Sequence, residues 1–543
     1  MTQKSPIVQR LSFSKEWLWV LVPISVFLIF LTLLPCWILE DGYIMLRYAR
    51  NIAYGFGVVY NPGDAPVWGC TSMLTTVTLA AMIRAGLVPE MASAVLGIIT
   101  GISLIVLVFC IERKILGLGT FPSVASCCIL AISQLVSLAL MGFDVLLFTF
   151  MMTLLFGVSL WAVLGSRSKN PGVPLPALSV VAILLSLTRP EGALVSVSTL
   201  VVVMWLRRDL SRLMFFLRVI LPYIVVIALF YTWTIFYFGW PLPNPFYVKT
   251  GDLLIYPSAI LVLGFFMLHY IAPITIVALW IHSVDRQVYR SLFILTIPAL
   301  LYTLAYFAIN QIQNIELRFQ FPTLPILLIY FAQALAFFQP QLFVKTESLI
   351  KFGKRDRLTI AVVVLLIIAF VQPAVYRGLT LPWGEHPDAL YVGQSLHAYR
   401  NNGYTMVVSE AGGIPFYADW HTIDAFGLND PVIAHYGLTN DYLAVLDPEI
   451  IMFNQPWYTE DTPEWASSTD PWDVMCRTLY LYAESHNYTL ACIYRVYLQM
   501  DGVHYPYGNH WYYVRNNFTD SVAIISLLQS FDGLVYVYPT SVS

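Results

Sequence analysis

Two adjacent carboxylates, Glu40 and Asp41, follow an apolar run directly in the segment EDGYIMLRYARN. Acids at a membrane edge are costly unless solvated or put to use, so this pair is the strongest local candidate for a functional site. Beyond it, Tyr43, Arg47, Arg50 and Tyr54 recur at helical spacing, with Met45, Tyr48, Ala49 and Ile52 on the opposite face. That pattern predicts an amphipathic helix lying at the interface. Its two arginines either rest on lipid phosphates as a solvated boundary or form a phosphate-binding strip beside the acids. Further charges stand at the ends of apolar runs: Asp144 in MGFDVLLF, Arg189 and Glu191 in TRPEG, Lys249 in PLPNPFYVK, Glu316 and Arg318 in NIELRFQFP. Taken singly, each reads equally well as a snorkelling anchor or a local ion pair. Together they place several acids and cations on one plane with Glu40 and Asp41, as a site for an anionic lipid headgroup requires.

The elements that must hold these charges are apolar. Only 11 % of the 543 residues are charged against 58 % hydrophobic, and the mean hydropathy of +0.70 excludes an ordinary soluble enzyme. Eleven stretches are long and apolar enough to suggest transmembrane helices: 17–39, 92–111, 120–140, 145–164, 174–188, 190–206, 215–238, 254–281, 291–309, 322–338 and 358–376. The first is flanked by Trp17, Trp19 and Trp37 and has no small-residue cleavage site, so it reads as a retained helix. Placing Lys4, Arg10 and Lys15 in the cytoplasm puts most basic residues on that side and nearly all acids on the other. The agreement requires that 71–86 does not cross, which makes it an outer interfacial segment within a first outer loop of residues 40–91.

Residues 378–543 differ in kind, being rich in Asp, Asn, Tyr and Trp with no spanning stretch. The expected fold class is therefore a polytopic α-helical membrane protein, with a module over 1–377 and an extracytoplasmic α/β or α+β domain over 378–543. Strands are expected in YTMVVSE (404–410), PEIIMF (448–453) and GLVYVYP (533–539). Cys476 and Cys492 could bridge or remain thiols, and two sequons begin at Asn487 and Asn517. His421, His435, His504 and His510 lack metal-ligand spacing, and no GxSxG or GxxxxGK[ST] occurs. Net charge is -3, and no basic field points to nucleic acid. No metal site or cofactor is assigned, although a divalent cation is compatible with the acids.

These blocks resemble the GT-C superfamily of polytopic glycosyltransferases, and particularly the mycobacterial terminal arabinofuranosyltransferases. The likeness rests on EDGYIMLRYARNIAYGFGVVYNPG, GFDVLLF, LTRPEG, YFGWPLPNPFYVK, RFQFPTLP and AGGIPFYADWHTIDAFGLNDP. The chain departs from the family pattern in having Glu40 before Asp41 where two aspartates are common, and Asp144 in place of a GxE-type turn. The resemblance implies about a dozen transmembrane helices, an outer domain and a polyprenyl monophosphate sugar donor in the bilayer. It also implies a glycan, glycolipid or protein acceptor. Under that implication Asp41 or Glu40 acts as general base, and Arg47, Arg189, Lys249 and Arg318 hold the lipid phosphate. Asp144, Tyr43 and Glu191 then serve the acceptor or support the cations. A lipid-linked sugar flippase and a mannosyl or other hexosyl transferase of the same superfamily are the competing expectations. The gathering of charge at one face favours an enzyme over a transporter, which would place coupling charges near the midplane.

Overall fold

The computed structural model of the chain describes residues 15–33, 38–165, 175–207, 209–249, 264, 286–306, 314–343, 387–455, 470–500, 503–531 and 535–538. The expected spans at 254–281, apart from residue 264, and at 358–376 lie outside the described residues. The helices run α1 Leu21–Leu33, α2 Glu40–Tyr54, α3 Met73–Arg84, α4 Pro89–Cys110, α5 Thr120–Ala131, α6 Leu135–Leu140 and α7 Val145–Gly165. They continue with α8 Leu175–Thr188, α9 Glu191–Leu206, α10 Arg212–Phe215, α11 Leu221–Phe238 and α12 Asn244–Lys249, and then the helices Arg286–Ala305 and Leu324–Phe343.

Among the described residues, four segments are long and apolar enough to cross a membrane: Pro89–Ile115, Val145–Gly165, Arg212–Phe238 and Ile315–Gln333. The remaining apolar helices are shorter, and the stretch expected at 120–140 divides at a turn into α5 and α6. The short stretch at 174–188 forms the unbroken helix α8. Helix α7 is apolar on every side and buries residues all around its circumference, including Phe148, Leu155 and Leu160. By contrast α11 buries only Tyr223 and Thr234, leaving the apolar surface that a lipid-facing helix presents. The bundle core joins Phe27, Leu104, Leu138, Phe148, Leu185 and Leu328.

The C-terminal region forms a six-stranded mixed sheet in the order β2-β1-β3-β5-β4-β6. Its strands are β1 Thr405–Val408, β2 His421–Asp424, β3 Ile450–Gln455, β4 Tyr488–Met500, β5 Val503–Arg515 and β6 Val535–Tyr538. The first three pair in parallel, β5 is antiparallel to both β3 and β4, and β6 joins β4 in parallel. Every residue of β3 is buried, because both faces of the sheet are covered. One face packs on the helix Pro471–Ser485 through Phe453, Leu479 and Trp511. On the other face, Met406, Met452 and Tyr512 share a core with Ile44, Tyr48, Tyr60 and Trp68, which lie within residues 40–91. Cys476 and Cys492 sit in these opposite layers and are not bridged. The sequence reading found β1, β3 and β6 but missed β2 and the long β4/β5 hairpin. β2 is only four residues and ends on a charge, while the hairpin mixes polar and aromatic residues without clean alternation.

Helix α2 is not the half-solvated interfacial helix that its periodicity suggests. Leu46, Ala49 and Ala53 pack on Leu79, Ala80 and Ile83 of α3. The opposite stripe points into the C-terminal domain rather than away from the protein. Arg47 is 1 % exposed and donates to the Tyr60 carbonyl (2.9 Å), the Pro415 carbonyl (2.5 Å), Asn61 Oδ1 (2.9 Å) and the Trp420 carbonyl (2.7 Å). Arg50 pairs with Asp419 at 2.5 Å, and Tyr43 meets Tyr417 hydroxyl to hydroxyl at 3.0 Å. A periodic polar stripe specifies that partners exist; it does not say whether phosphates, waters or carbonyls supply them.

This arrangement makes Arg47 a structural staple. Replacing it by Leu strands four buried acceptors, with an expected loss of about 3–5 kcal/mol. Arg50→Leu is expected to cost about 1 kcal/mol, since its partner is more exposed. Thermal unfolding of the purified variants in detergent checks the contrast, and equal melting temperatures would contradict it.

Candidate active site

The start of α2 is fixed by close backbone approach. Leu39 N–H donates to the Met141 carbonyl at 3.1 Å, and a side chain at Gly42 would collide with Ile38, 2.7 Å from the added carbon. Glu40 and Asp41 therefore stand beside the turn that carries Asp144. Their adjacent positions on the helix send them to different places. The Glu40 carboxylate accepts hydrogen bonds from the backbone N–H groups of Gly412 and Gly413, the latter at 2.6 Å. A side chain at Gly412 would run into the Glu40 carbonyl, which accounts for glycine at that position. Burial and then the charge of Glu410 push the Glu40 carboxyl well above its usual range, against the pull of the two N–H donors.

Asp41 instead faces a cavity of about 130 Å³. Its Oδ2 lies 3.6 Å from Lys249 Nζ, at the end of α12, and 3.5 Å from an Arg318 terminal nitrogen. Burial alone would raise the Asp41 carboxyl, but the Lys249 ammonium and then the Arg318 guanidinium outweigh it and hold it below the usual range. Burial correspondingly lowers the Lys249 ammonium, against the attraction of Asp41. The Arg318 guanidinium also stacks on Phe143 at 4.1 Å, and its Nε is buried without a hydrogen-bond partner.

The deeper wall carries a second cluster. Arg189 reaches Asp144 Oδ1 at 3.1 Å, Glu191 Oε2 at 3.5 Å and the Tyr306 hydroxyl at 3.1 Å, while Tyr306 donates to Glu191 Oε1 at 2.7 Å. The other oxygen of Asp144, Oδ2, is buried and unpartnered. Arg189 and Glu191 do pair with each other, and they pair with Asp144 as well. Pro243, Pro245, Phe246 and Phe319 give the cavity an apolar side, and Leu428 of the outer domain closes part of it. Leu428 is held by the loop 424–430. There the buried Asp424 accepts N–H bonds from Phe426, Gly427 and Asn429, and burial pushes its carboxyl up to about 7. The segment leading through α12 to Lys249 is braced from the same domain, with Trp240 stacked 3.7 Å from the His435 ring and Tyr247 at 4.6 Å. Among the described residues, no three His, Cys, Asp or Glu side chains are arranged to hold a metal ion.

Of the nine residues singled out in the sequence, Asp41, Asp144, Arg189, Glu191, Lys249 and Arg318 line one cavity. Glu40, Tyr43 and Arg47 do not line it; their side chains join α2 to the outer domain. The reason is helical geometry: from one helix, Asp41 turns inward while positions 40, 43, 47 and 50 face the outer domain. Sequence reasoning missed Tyr306, Phe143 and Leu428, which carry no signal beyond an aromatic at a helix end or an apolar residue in a loop.

The fold of the chain is shared with solved structures. ArnT from Cupriavidus metallidurans superimposes with a TM-score of 0.57 over 91 % of this chain and 97 % of that chain, at 12 % identity. The fold is the GT-C fold. The GT-C protein AglB from Archaeoglobus fulgidus, an oligosaccharyltransferase solved with an inhibitory peptide and a dolichol-phosphate, matches at a TM-score of 0.54 and 13 % identity. That match covers 91 % of this chain and 74 % of that chain. The arabinofuranosyltransferase AftD from Mycobacteria matches at 0.52 and 13 % identity over 94 % of this chain, which spans 42 % of that longer GT-C protein. ArnT has also been solved bound to undecaprenyl phosphate, and that structure matches at 0.56. A sequence family described as a domain of unknown function, DUF8728, matches residues 384–520, the greater part of the outer domain. No curated protein sequence matches the chain.

Within this cavity the Arg189 cluster is a buried charge network. Arg189→Met leaves Asp144 and Glu191 without their cation and is expected to cost about 3–5 kcal/mol. Adding Asp144→Asn to that variant should recover part of the loss, as measured by thermal melts of all three proteins. A double variant no more stable than Arg189→Met would show that the two side chains are not coupled.

Proposed function

We propose that this chain is a membrane glycosyltransferase that moves a sugar from a polyprenyl monophosphate donor to an acceptor hydroxyl at the outer face of the membrane. The observation that carries the reading is the convergence of Asp41, Lys249 and Arg318 on one cavity in a GT-C fold. The reaction is a single displacement at the anomeric carbon through an oxocarbenium-like transition state. Asp41 takes the proton of the attacking hydroxyl, a role worth typically 10²–10⁴-fold. Lys249 and Arg318 hold the phosphate and stabilise the charge that grows on the leaving oxygen. A phosphate leaves without needing a proton, so no second acid is required.

Asp144, with its unpartnered oxygen in the same cavity, positions a hydroxyl of donor or acceptor while Arg189 and Glu191 fix its orientation. Glu40 and Arg47 contribute by seating the outer domain, not by touching substrate. In this reading residues 1–377 are the catalytic module. Residues 378–543 close the cavity and recognise a glycan, glycolipid or protein acceptor, and the N-terminus is cytoplasmic. Arabinofuranose is the donor sugar favoured by the six sequence blocks named above, and a mannosyl or hexosyl donor is the alternative.

Purified protein offered a panel of polyprenyl-phosphate sugars tests this. Transfer or slow donor hydrolysis is expected with one sugar, reduced about 10²–10⁴-fold in Asp41→Asn. Lys249→Met and Arg318→Met are expected to raise KM for the donor as well as lower kcat. Glu40→Gln and Arg47→Leu, compared per folded molecule, should lose far less. Absence of turnover with every donor, accompanied by lipid movement across vesicles, would replace the enzyme with a flippase.

A further inference from the structure

The cations assigned to the phosphate are already engaged in the resting protein. Lys249 and Arg318 both lie on the same oxygen of Asp41, at 3.6 and 3.5 Å. These distances exceed the roughly 2.7–2.9 Å of a tight charge-assisted hydrogen bond, and the pair opens onto the cavity with Arg318 Nε still unpartnered. We infer that this cation pair serves base and leaving group in turn, passing from Asp41 to the lipid phosphate as the sugar is transferred. The inference rests on the glycosyltransferase reading and adds a coupling that the reading does not require.

The charges balance along the reaction. The donor is a phosphodiester with a single negative charge, so two cations, Asp41 and the phosphate sum to zero when it binds. In the displacement the acceptor oxygen bonds to the anomeric carbon and its proton passes to Asp41. The bond from that carbon to the phosphate oxygen breaks, and its electron pair stays on the oxygen. The leaving monoester then carries about -1.5 to -2. As Asp41 becomes neutral, the phosphate gains the charge that Asp41 gave up, and the cations face an unchanged total. Proton abstraction and bond cleavage are thereby linked through Lys249 and Arg318. Other charges around Asp41 are Glu40 on its own helix and Asp144, Arg189 and Glu191 across the cavity. The last three neutralise much of one another's field through their own network.

A donor phosphate that shares the cations weakens their hold on Asp41, so its proton affinity rises toward what a base near neutral pH needs. The base works deprotonated, and the rate falls as pH falls through its pKa. The profile of kcat/KM reports the free protein and that of kcat the donor complex. In the wild-type protein the acid limb of kcat is therefore expected at higher pH than that of kcat/KM, and coincident limbs would overturn the inference. In Lys249→Met the acid limb of kcat/KM should move up, because one of the two cations that lower Asp41 is gone.

The binding test uses polyprenyl monophosphate, the wild-type protein and Asp41→Asn, each checked for folding by its melt. Calorimetry at neutral pH in two buffers of different ionisation heat gives affinity and proton uptake together. Asp41→Asn should bind about tenfold tighter, the scale of one partly buried charge contact removed as competitor, and should lose the part of the proton uptake that belongs to Asp41. Unchanged or weaker binding overturns the hand-over even where transfer is lost, and leaves Asp41 standing as base. Tighter binding with transfer retained also overturns the inference, because Asp41 is then not the base that the cations serve.

Discussion

A carboxylate set into the edge of an apolar helix bundle persists as a charge only when cations or hydrogen-bond donors compensate it. Asp41 meets that condition with Lys249 and Arg318, drawn from segments that lie more than two hundred residues away in the chain. Much of the architecture around the cavity can be understood as holding this triad together. The turn at Gly142 fixes the start of α2, the aromatic brace on His435 fixes the Lys249 loop, and Phe143 supports the Arg318 guanidinium. Because the cations belong to different elements, the site exists only in the assembled bundle.

The second constraint is that α2 has no solvated face. One side is buried in the bundle and the other is bonded to the outer domain through Glu40, Tyr43, Arg47 and Arg50. The C-terminal domain is consequently part of the cavity, supplying Leu428 to its wall and His435 to the support of the segment that ends at Lys249. The shape of the cavity therefore depends on both parts of the chain.

Much of this was legible in the sequence. Charge confined to the ends of apolar runs marks the cavity, because ions in such places must find partners, and six of the nine residues to which the resemblance gives a role converge there. The remaining three lie outside it. Glu40, Tyr43 and Arg47 sit on α2 with the right chemistry for a site, but helix rotation turns Glu40 to the N–H groups of Gly412 and Gly413, Tyr43 to the Tyr417 hydroxyl and Arg47 to the backbone carbonyls of residues 415 and 420. Those partners lie some 370 positions away and leave no trace in local spacing. Span counting was also limited, since an apolar run such as 120–140 can turn inside the bundle instead of crossing as one helix. The strands were found where the sequence reads as a continuous apolar run, as in β3, whose residues are all buried. They were missed in the β4/β5 hairpin, where aromatic and polar residues alternate without a clean period.

The most direct measurement is a density map of the purified protein with polyprenyl monophosphate bound. The account predicts the phosphate in the cavity, within hydrogen-bonding reach of the Lys249 ammonium and the Arg318 guanidinium, with Asp41 displaced from at least one of them. A phosphate seated on Arg47 or Arg50, or outside the cavity with the Asp41 triad intact, would contradict it.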